Sequence, residues 1–206
     1  IVISHQDSDH SGGAPAVMAM HPQADVWTSI PPDHVLQQGR VMQRCEHGQA
    51  WQWDGVQFEV LHPRAADYER KLKPNALSCV LRVTDSQGVS ALLVGDIEAA
   101  QELALVRNEG GEQGLRAQWL LVPHHGSATS STVAFLEAVQ PQVAVVQAGY
   151  RNRFGHPRPE VMARYDTLGV QVVQSPRCGA SLWRSDEPNG VQCERNQRQR
   201  YWQHVF

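Results

Sequence analysis

The sequence predicts a layered α/β protein, and three observations carry that expectation. Alternating apolar hairpins fill the first half of the chain, while the second half alternates strand-like and helix-like segments. Histidines and aspartates collect where predicted strands end, which is where open α/β sheets bind ligands.

The apolar run Ile1-Val2-Ile3 reads as a short strand that delivers His5-Gln6-Asp7-Ser8-Asp9-His10 to a sheet end. An extended loop is expected there, throwing His5, Asp7 and Asp9 to one side, with His10 following as the chain turns. Gly12 and Gly13 permit a tight turn, and 14–20 reads as a helix with Pro15 in its first turn. Residues 25–28 form a candidate strand, Pro31-Pro32 marks a loop, and 33–45 carries no assignable pattern. Residues 49–53 and 56–61 flank Asp54-Gly55 as a β-hairpin; a second hairpin, 77–84 and 89–94, ends at Gly95-Asp96. A helix beginning near Glu98 precedes a strand at 119–122, which empties into Pro123-His124-His125-Gly126-Ser127 and the hydroxyls Thr129, Ser130, Ser131 and Thr132. A helix over 132–139, a strand over 143–147, a helix over 159–168, a strand over 170–173 and a hairpin over 180–194 complete the alternation.

At 206 residues, 41% hydrophobic and 19% charged, the chain is long enough for one large core and is read as one domain, 1–206. No run approaches the ~20 apolar residues of a membrane span. The opening at Ile1, with neither methionine nor leader, reads as a piece of something longer. A net charge of −3 excludes a wholesale basic surface, so any nucleic-acid contact has to be local. Cys45, Cys79, Cys178 and Cys193 lack CxxC spacing, which excludes zinc-ribbon and thioredoxin-like sites. Cys79 reads as a small buried hydrophobe. Cys178 and Cys193 flank the last hairpin as either free thiols or a disulfide, and a register centred on Pro188 would set Trp183 opposite Cys193 and keep the thiols apart.

Asp96 alone would read as a helix cap; the His124-His125 pair at the next strand end changes that, because core histidines rarely come in pairs. His5, Asp7, Asp9, His10, Asp96, His124, His125 and His156 then form one constellation on loops that follow strands. His21, His34, His47, His62 and His204 lack such placement and read as surface or packing residues. Arg151, Arg153 and Arg158 bracket His156, with Tyr150 and Phe154 interleaved; such a loop either grips a phosphate and stacks a base or is simply a solvated basic segment.

His-x-Asp-x-Asp-His with Gly-Gly, then Gly-Asp, then Pro-His-His-Gly-Ser, then Gly-His-Pro resembles the metallo-β-lactamase superfamily. Asp7 departs from the superfamily's usual second histidine. Together with Val-Pro-His-His-Gly-Ser and Arg-x-Gly-His-Pro it resembles the hydrolase-like domain of ComEC, the DNA-uptake channel family, from Ile1 to about Trp183. The resemblance implies an αββα sandwich whose first strands precede Ile1, with one or two divalent ions (Mn or Zn) at the sheet edges. His5 and Asp7 would hold one ion, and Asp9, His10 and either His124 or His125 the other, with Asp96 bridging. A histidine usual in the superfamily is missing from Pro74-Asn75-Ala76-Leu77-Ser78, and the resulting oxygen-rich set favours Mn²⁺ over Zn²⁺.

The same resemblance implies a nuclease that degrades the non-imported DNA strand and needs no nucleotide cofactor. Asp9 and His156 would be catalytic, His156 orienting substrate or protonating the leaving oxygen, while Ser127, Arg151 and Arg153 contact single-stranded DNA. It further implies fusion to a channel in the inner membrane, with this domain on the periplasmic side. A small-ester or thioester hydrolase and a catalytically silent DNA-binding module are the alternatives.

Overall fold

Side chains two apart on a strand share a face and their neighbours take the other, and that period sorts the apolar residues of this protein into layers. A computed structural model describes residues 1–109 and 114–198; His204 lies outside them. In chain order its elements are β1 (Val2–Ile3), α1 (Ser8–Ser11), α2 (Ala14–Met20), β2 (Trp27–Thr28), β3 (Gln43–Arg44), β4 (Ala50–Trp53), β5 (Val56–His62) and α3 (Ala65–Tyr68). There follow β6 (Val80–Thr84), β7 (Ser90–Leu93), α4 (Ala99–Asn108), β8 (Trp119–Leu121), α5 (Val133–Val139), β9 (Val143–Val146), α6 (Pro159–Thr167), β10 (Gln171–Gln174), α7 (Ser175–Cys178), β11 (Ser181–Trp183), β12 (Val191–Cys193) and α8 (Glu194–Gln197).

Seven strands make one sheet in the order β10-β9-β8-β7-β6-β5-β4. Strands β4 to β7 pair antiparallel, and the first turn uses Asp54 (φ 48°) and Gly55 (φ 78°), the left-handed pair a two-residue hairpin loop requires. From β7 to β10 the strands pair parallel, and each crossover carries one of the helices α4, α5 and α6. Strand β9 is apolar throughout because both its faces are covered: Ala144 and Val146 join the layer containing Leu105, Phe135, Leu136, Val161 and Tyr165, while Val143 and Val145 join the opposite one. A second sheet, β1-β2-β3, is parallel and two residues deep. Its Ile3, with Val26 just before β2, packs with Ala14 of α2, and its Trp27 stacks on Trp51 of the large sheet. Helices, large sheet, small sheet and α2 thus form the αββα order.

Two expectations are corrected. The His5–His10 segment is not extended throughout: Asp7 (φ −62°, ψ 143°) precedes a helical turn, α1, that carries Asp9 and His10. The backbone N–H groups of His10 and Ser11 both donate to Asp7 O, which closes that turn. Cys79 is not a free thiol, since it bonds Cys45, and Cys178 bonds Cys193, with Cα separations of 5.9 and 4.6 Å. The hairpin register sets Ser181, not Trp183, opposite Cys193, and Gly179 (φ 73°) turns the chain so that Cys178 reaches its partner. The first disulfide ties the segment after β3 to the start of β6. No helix among the described residues is long and apolar enough to cross a membrane.

Candidate metal centre

Three loops bring the predicted residues together. The first follows β1 and runs into α1; the second is Gly95-Asp96 after β7; the third is Pro123–Gly126 after β8. In that last turn His124 (φ 48°) and His125 (φ 54°) both take the left-handed conformation, which costs about 1–3 kcal/mol for each non-glycine residue. Local bonds hold them there: His124 N–H donates to Gly95 O at 3.1 Å, and Ser127 N–H to His124 O at 2.8 Å. Buried Glu102 of α4 accepts the N–H groups of Ser131 and Thr132, and Arg164 donates to Ser130 O and Ser131 O, fixing the hydroxyl-rich segment beyond. Burial pushes the Glu102 carboxyl up.

One atom each from Asp9, His10, Asp96 and His125 lie within 4.8 Å of one another. His10 Nε2 is 3.1 Å from Asp96 Oδ1 and 3.2 Å from His125 Nε2, while His125 Nε2 is 3.1 Å from Asp9 Oδ2 and 3.5 Å from Asp96 Oδ2. Tetrahedral donors about 2.0–2.1 Å from an ion would stand about 3.4 Å apart, so this set fits a divalent cation. The other His125 nitrogen, Nδ1, donates to Gln147 O at 2.6 Å, leaving Nε2 as the inward-facing donor. Hydrogen bonds and charge from Asp96 raise His125 to about 9. Burial alone would push Asp96 up, but its bonds to His10 and His125 hold it far below the usual carboxylate range.

His5 and Asp7 lie to one side of this set. His5 is 1% exposed, and its Nε2 has no hydrogen-bond partner among the described residues; it lies 3.7 Å from Asp7 Oδ2 and 3.9 Å from Asp96 Oδ2. Burial, and then the nearby His10, push His5 down. His124 Nε2 also lies 3.9 Å from Asp96 Oδ2, with Asn75 Nδ2 at 3.3 Å, and its Nδ1 is 3.4 Å from Glu98 Oε1. Asp96 Oδ1 faces His10, and its Oδ2 faces His5, His124 and His125 together. A cleft of about 280 Å³ opens beside Asp9 and His10, lined by Val2, Leu81, Leu93, Leu121 and Gln147 among others.

His156 sits apart from the carboxylates. Its ring meets His124 edge-on at 5.9 Å and stacks on Phe154 at 5.8 Å, and its buried Nδ1 has no hydrogen-bond partner among the described residues. Burial, then His124, pushes it down. Arg151 lies over Tyr150 and Arg153 over Phe154, so both guanidiniums sit on the same loop as His156. Ser127 is buried, and its hydroxyl pairs with Thr129 Oγ1 at 3.1 Å within its own turn. Gly126 (φ 81°) lets this turn dock on the next: a Cβ there would come 2.6 Å from Pro157 Cβ, and Arg158 N–H donates to Gly126 O at 2.9 Å.

Sequence reasoning missed three contributors. Ser4, Ser78 and Asn75 touch the ring nitrogens of His5, His10 and His124. A hydroxyl or amide at such a position has no spacing signature; the only clue was that 74–78 occupies the place of an expected histidine.

No protein-family model matches the chain. Layers and ligand cluster together define a metallo-β-lactamase fold, and the solved structure of Igni18, a metallo hydrolase from the archaeon Ignicoccus hospitalis, shares that fold. Its TM-score is 0.52 at 17% identity, over 84% of this chain and 74% of that one. In sequence the chain is 39% identical over 181 residues to competence protein ComA of Neisseria gonorrhoeae, covering 87% of this chain and 24% of that protein. It is 33% identical over 164 residues to recombination protein 2 of Haemophilus influenzae, covering 80% and 19%. The chain spans a quarter or less of the length of these relatives. The chain has the metallo-β-lactamase fold, and its sequence is similar to one part of these longer competence and recombination proteins.

Proposed function

We propose that this chain is a metal-dependent phosphodiesterase that cleaves single-stranded DNA. The observation that carries the reading is the convergence of Asp9, His10, Asp96 and His125 on one point, in a chain whose relatives include a competence protein. Those four residues would hold one divalent ion, and His5 and Asp7, with Asp96 shared, would hold a second. Bound ions lower the pKa of a coordinated water and stabilise the attacking and leaving oxygens of an in-line displacement.

The chain's own residues supply the rest. Asp9, the most exposed of the four, faces the open side and orients the attacking water. His156, one ring beyond His124, holds or gives a proton at the leaving oxygen. Arg151 and Arg153 draw the phosphate backbone to the rim. Ser127 supports this loop and contacts substrate only through a shift of its turn.

We read residues 1–206 as one domain, fused in the whole protein to a membrane channel of the inner membrane and exposed to the periplasm. Two disulfides support that side, because such bonds persist in oxidising compartments. The test is to incubate the metal-loaded protein with single-stranded DNA, a chromogenic phosphodiester and a thioester, each with Mn²⁺ or Zn²⁺ and with a strong chelator. Cleavage of the first two, abolished by chelator, is expected. Thioester turnover alone would make it a small-ester hydrolase, and binding of DNA without any turnover would make it a silent module. His156→Ala should lower turnover about 10²–10⁴-fold with metal content unchanged.

A further inference from the structure

The two histidines of the first motif share one hydroxyl. Ser4 Oγ lies 3.1 Å from His5 Nδ1 and 3.1 Å from His10 Nδ1, so a single side chain backs one imidazole from each group of the site. The two rings are 4.2 Å apart between centroids. Ser4 itself is held firmly: its carbonyl accepts Cys79 N–H at 2.9 Å and the Ser29 hydroxyl at 2.7 Å. Its Cβ packs against Gly95, where an added Cβ would come within 3.1 Å of it and 3.0 Å of Ser78 Cβ. Gly95, at φ 55°, accordingly lets two serines close on the turn that presents Asp96.

The chemistry of a hydroxyl gives this arrangement a use. A serine oxygen has two lone pairs and can accept two N–H groups at once. Asp96 Oδ1, 3.1 Å from His10 Nε2, pulls the other way, since a carboxylate attracts the ring proton to the nitrogen that faces it. An imidazole with its proton on Nε2 cannot donate that nitrogen to an ion.

We propose that Ser4 is a positioning residue that keeps the ring proton of both His5 and His10 on Nδ1, so that both Nε2 atoms face the centre as bare donors. The inference rests on the metal-binding reading above. Ser78 reinforces it on one side only: its Oγ accepts Asp96 N–H at 3.1 Å and lies 3.3 Å from His5 Nδ1. Among the described residues Ser4 alone pairs with His10 Nδ1, so removing this hydroxyl acts chiefly on His10.

The test uses metal-stripped protein and needs no turnover. Mn²⁺ and, separately, Zn²⁺ are titrated by calorimetry into wild type, Ser4→Ala and Ser4→Thr, and the ring ¹⁵N shifts of His5 and His10 are recorded before metal is added. Ser4→Ala should bind about 10–100-fold more weakly, with the His10 proton moved to Nε2, and Ser4→Thr should recover both properties. Wild-type affinity in Ser4→Ala, or wild-type His10 shifts in that variant, would overturn the inference while the metal reading stood. A wild type that takes up neither ion would overturn both. Should Ser4→Ala unfold, the wild-type shifts decide alone: Nδ1–H on both rings supports the role and Nε2–H on His10 refutes it.

Discussion

The two halves of the centre are built differently. Asp9, His10, Asp96 and His125 come from a helical turn and two strand ends, and their donor atoms already stand at ligand-to-ligand spacing. His5 Nε2 stands 3.7 Å from Asp7 Oδ2 and 3.9 Å from Asp96 Oδ2, and where the superfamily would place another histidine the chain offers Ser78 and Asn75. Each donor of the first set lies 3.1–3.2 Å from another, whereas the buried His5 Nε2 has no hydrogen-bond partner among the described residues. The difference teaches that the two positions should fill in order, the His125 side first.

The largest test of that order removes what both halves share. Loss of a supporting partner costs about 10–100-fold in metal affinity, so Asp96→Ala, which deletes a proposed ligand, should cost at least about 100-fold for every ion bound, as read by calorimetry. Retention of one tight ion would separate the halves more sharply than the geometry does. Next come the paired variants His125→Ala and His124→Ala. The first should abolish the tighter binding event and the second should spare it; equal losses would erase the distinction.

A smaller effect is expected from the disulfide that anchors Ser78 through its neighbour. Removing both partners, Cys45→Ala with Cys79→Ala, should destabilise by about 2–4 kcal/mol in denaturant unfolding and weaken the His5 side more than the His125 side. The smallest concerns His62, whose Nδ1–H donates to Ser78 O at 2.9 Å. Burial pushes this imidazole below its ordinary 6.5. A depressed value means the unfolded chain takes the proton more readily. The stability His62 contributes is therefore present above about pH 6.5 and lost as pH falls through the folded value. His62→Gln should flatten that part of the thermal-stability profile; an unchanged profile would remove His62 from the support of Ser78.

Legibility in the sequence followed the range of the interactions. The hairpin around Asp54-Gly55 and the doubly buried Val143–Val146 strand announce themselves through local conformation and hydrophobic pattern. The convergence of Asp9, His10, Asp96 and His125 could be read because histidines and aspartates collected at the ends of predicted strands. By contrast, α1 has four polar residues and no period to read, and β3 is two residues long in a stretch without an assignable pattern, defined only by its parallel pairing with β2. Cys45 and Cys79 are 34 residues apart, and nothing local pairs them. Ser4 was invisible for another reason, since one hydroxyl serving two rings is a fact of three-dimensional packing.

The contact between Gly126 and Pro157 has a consequence for anyone exchanging loops among relatives of this domain. The Pro-His-His-Gly turn and the Gly-His-Pro turn are separate words in the sequence but one part in space, because Pro157 occupies the volume where a side chain at 126 would begin. Transplanting the arginine-bearing loop 149–157 without its own glycine turn should displace His156 from His124, so the graft would no longer line up with the Asp9, His10, Asp96 and His125 cluster. The two segments are best moved together, as a single cassette.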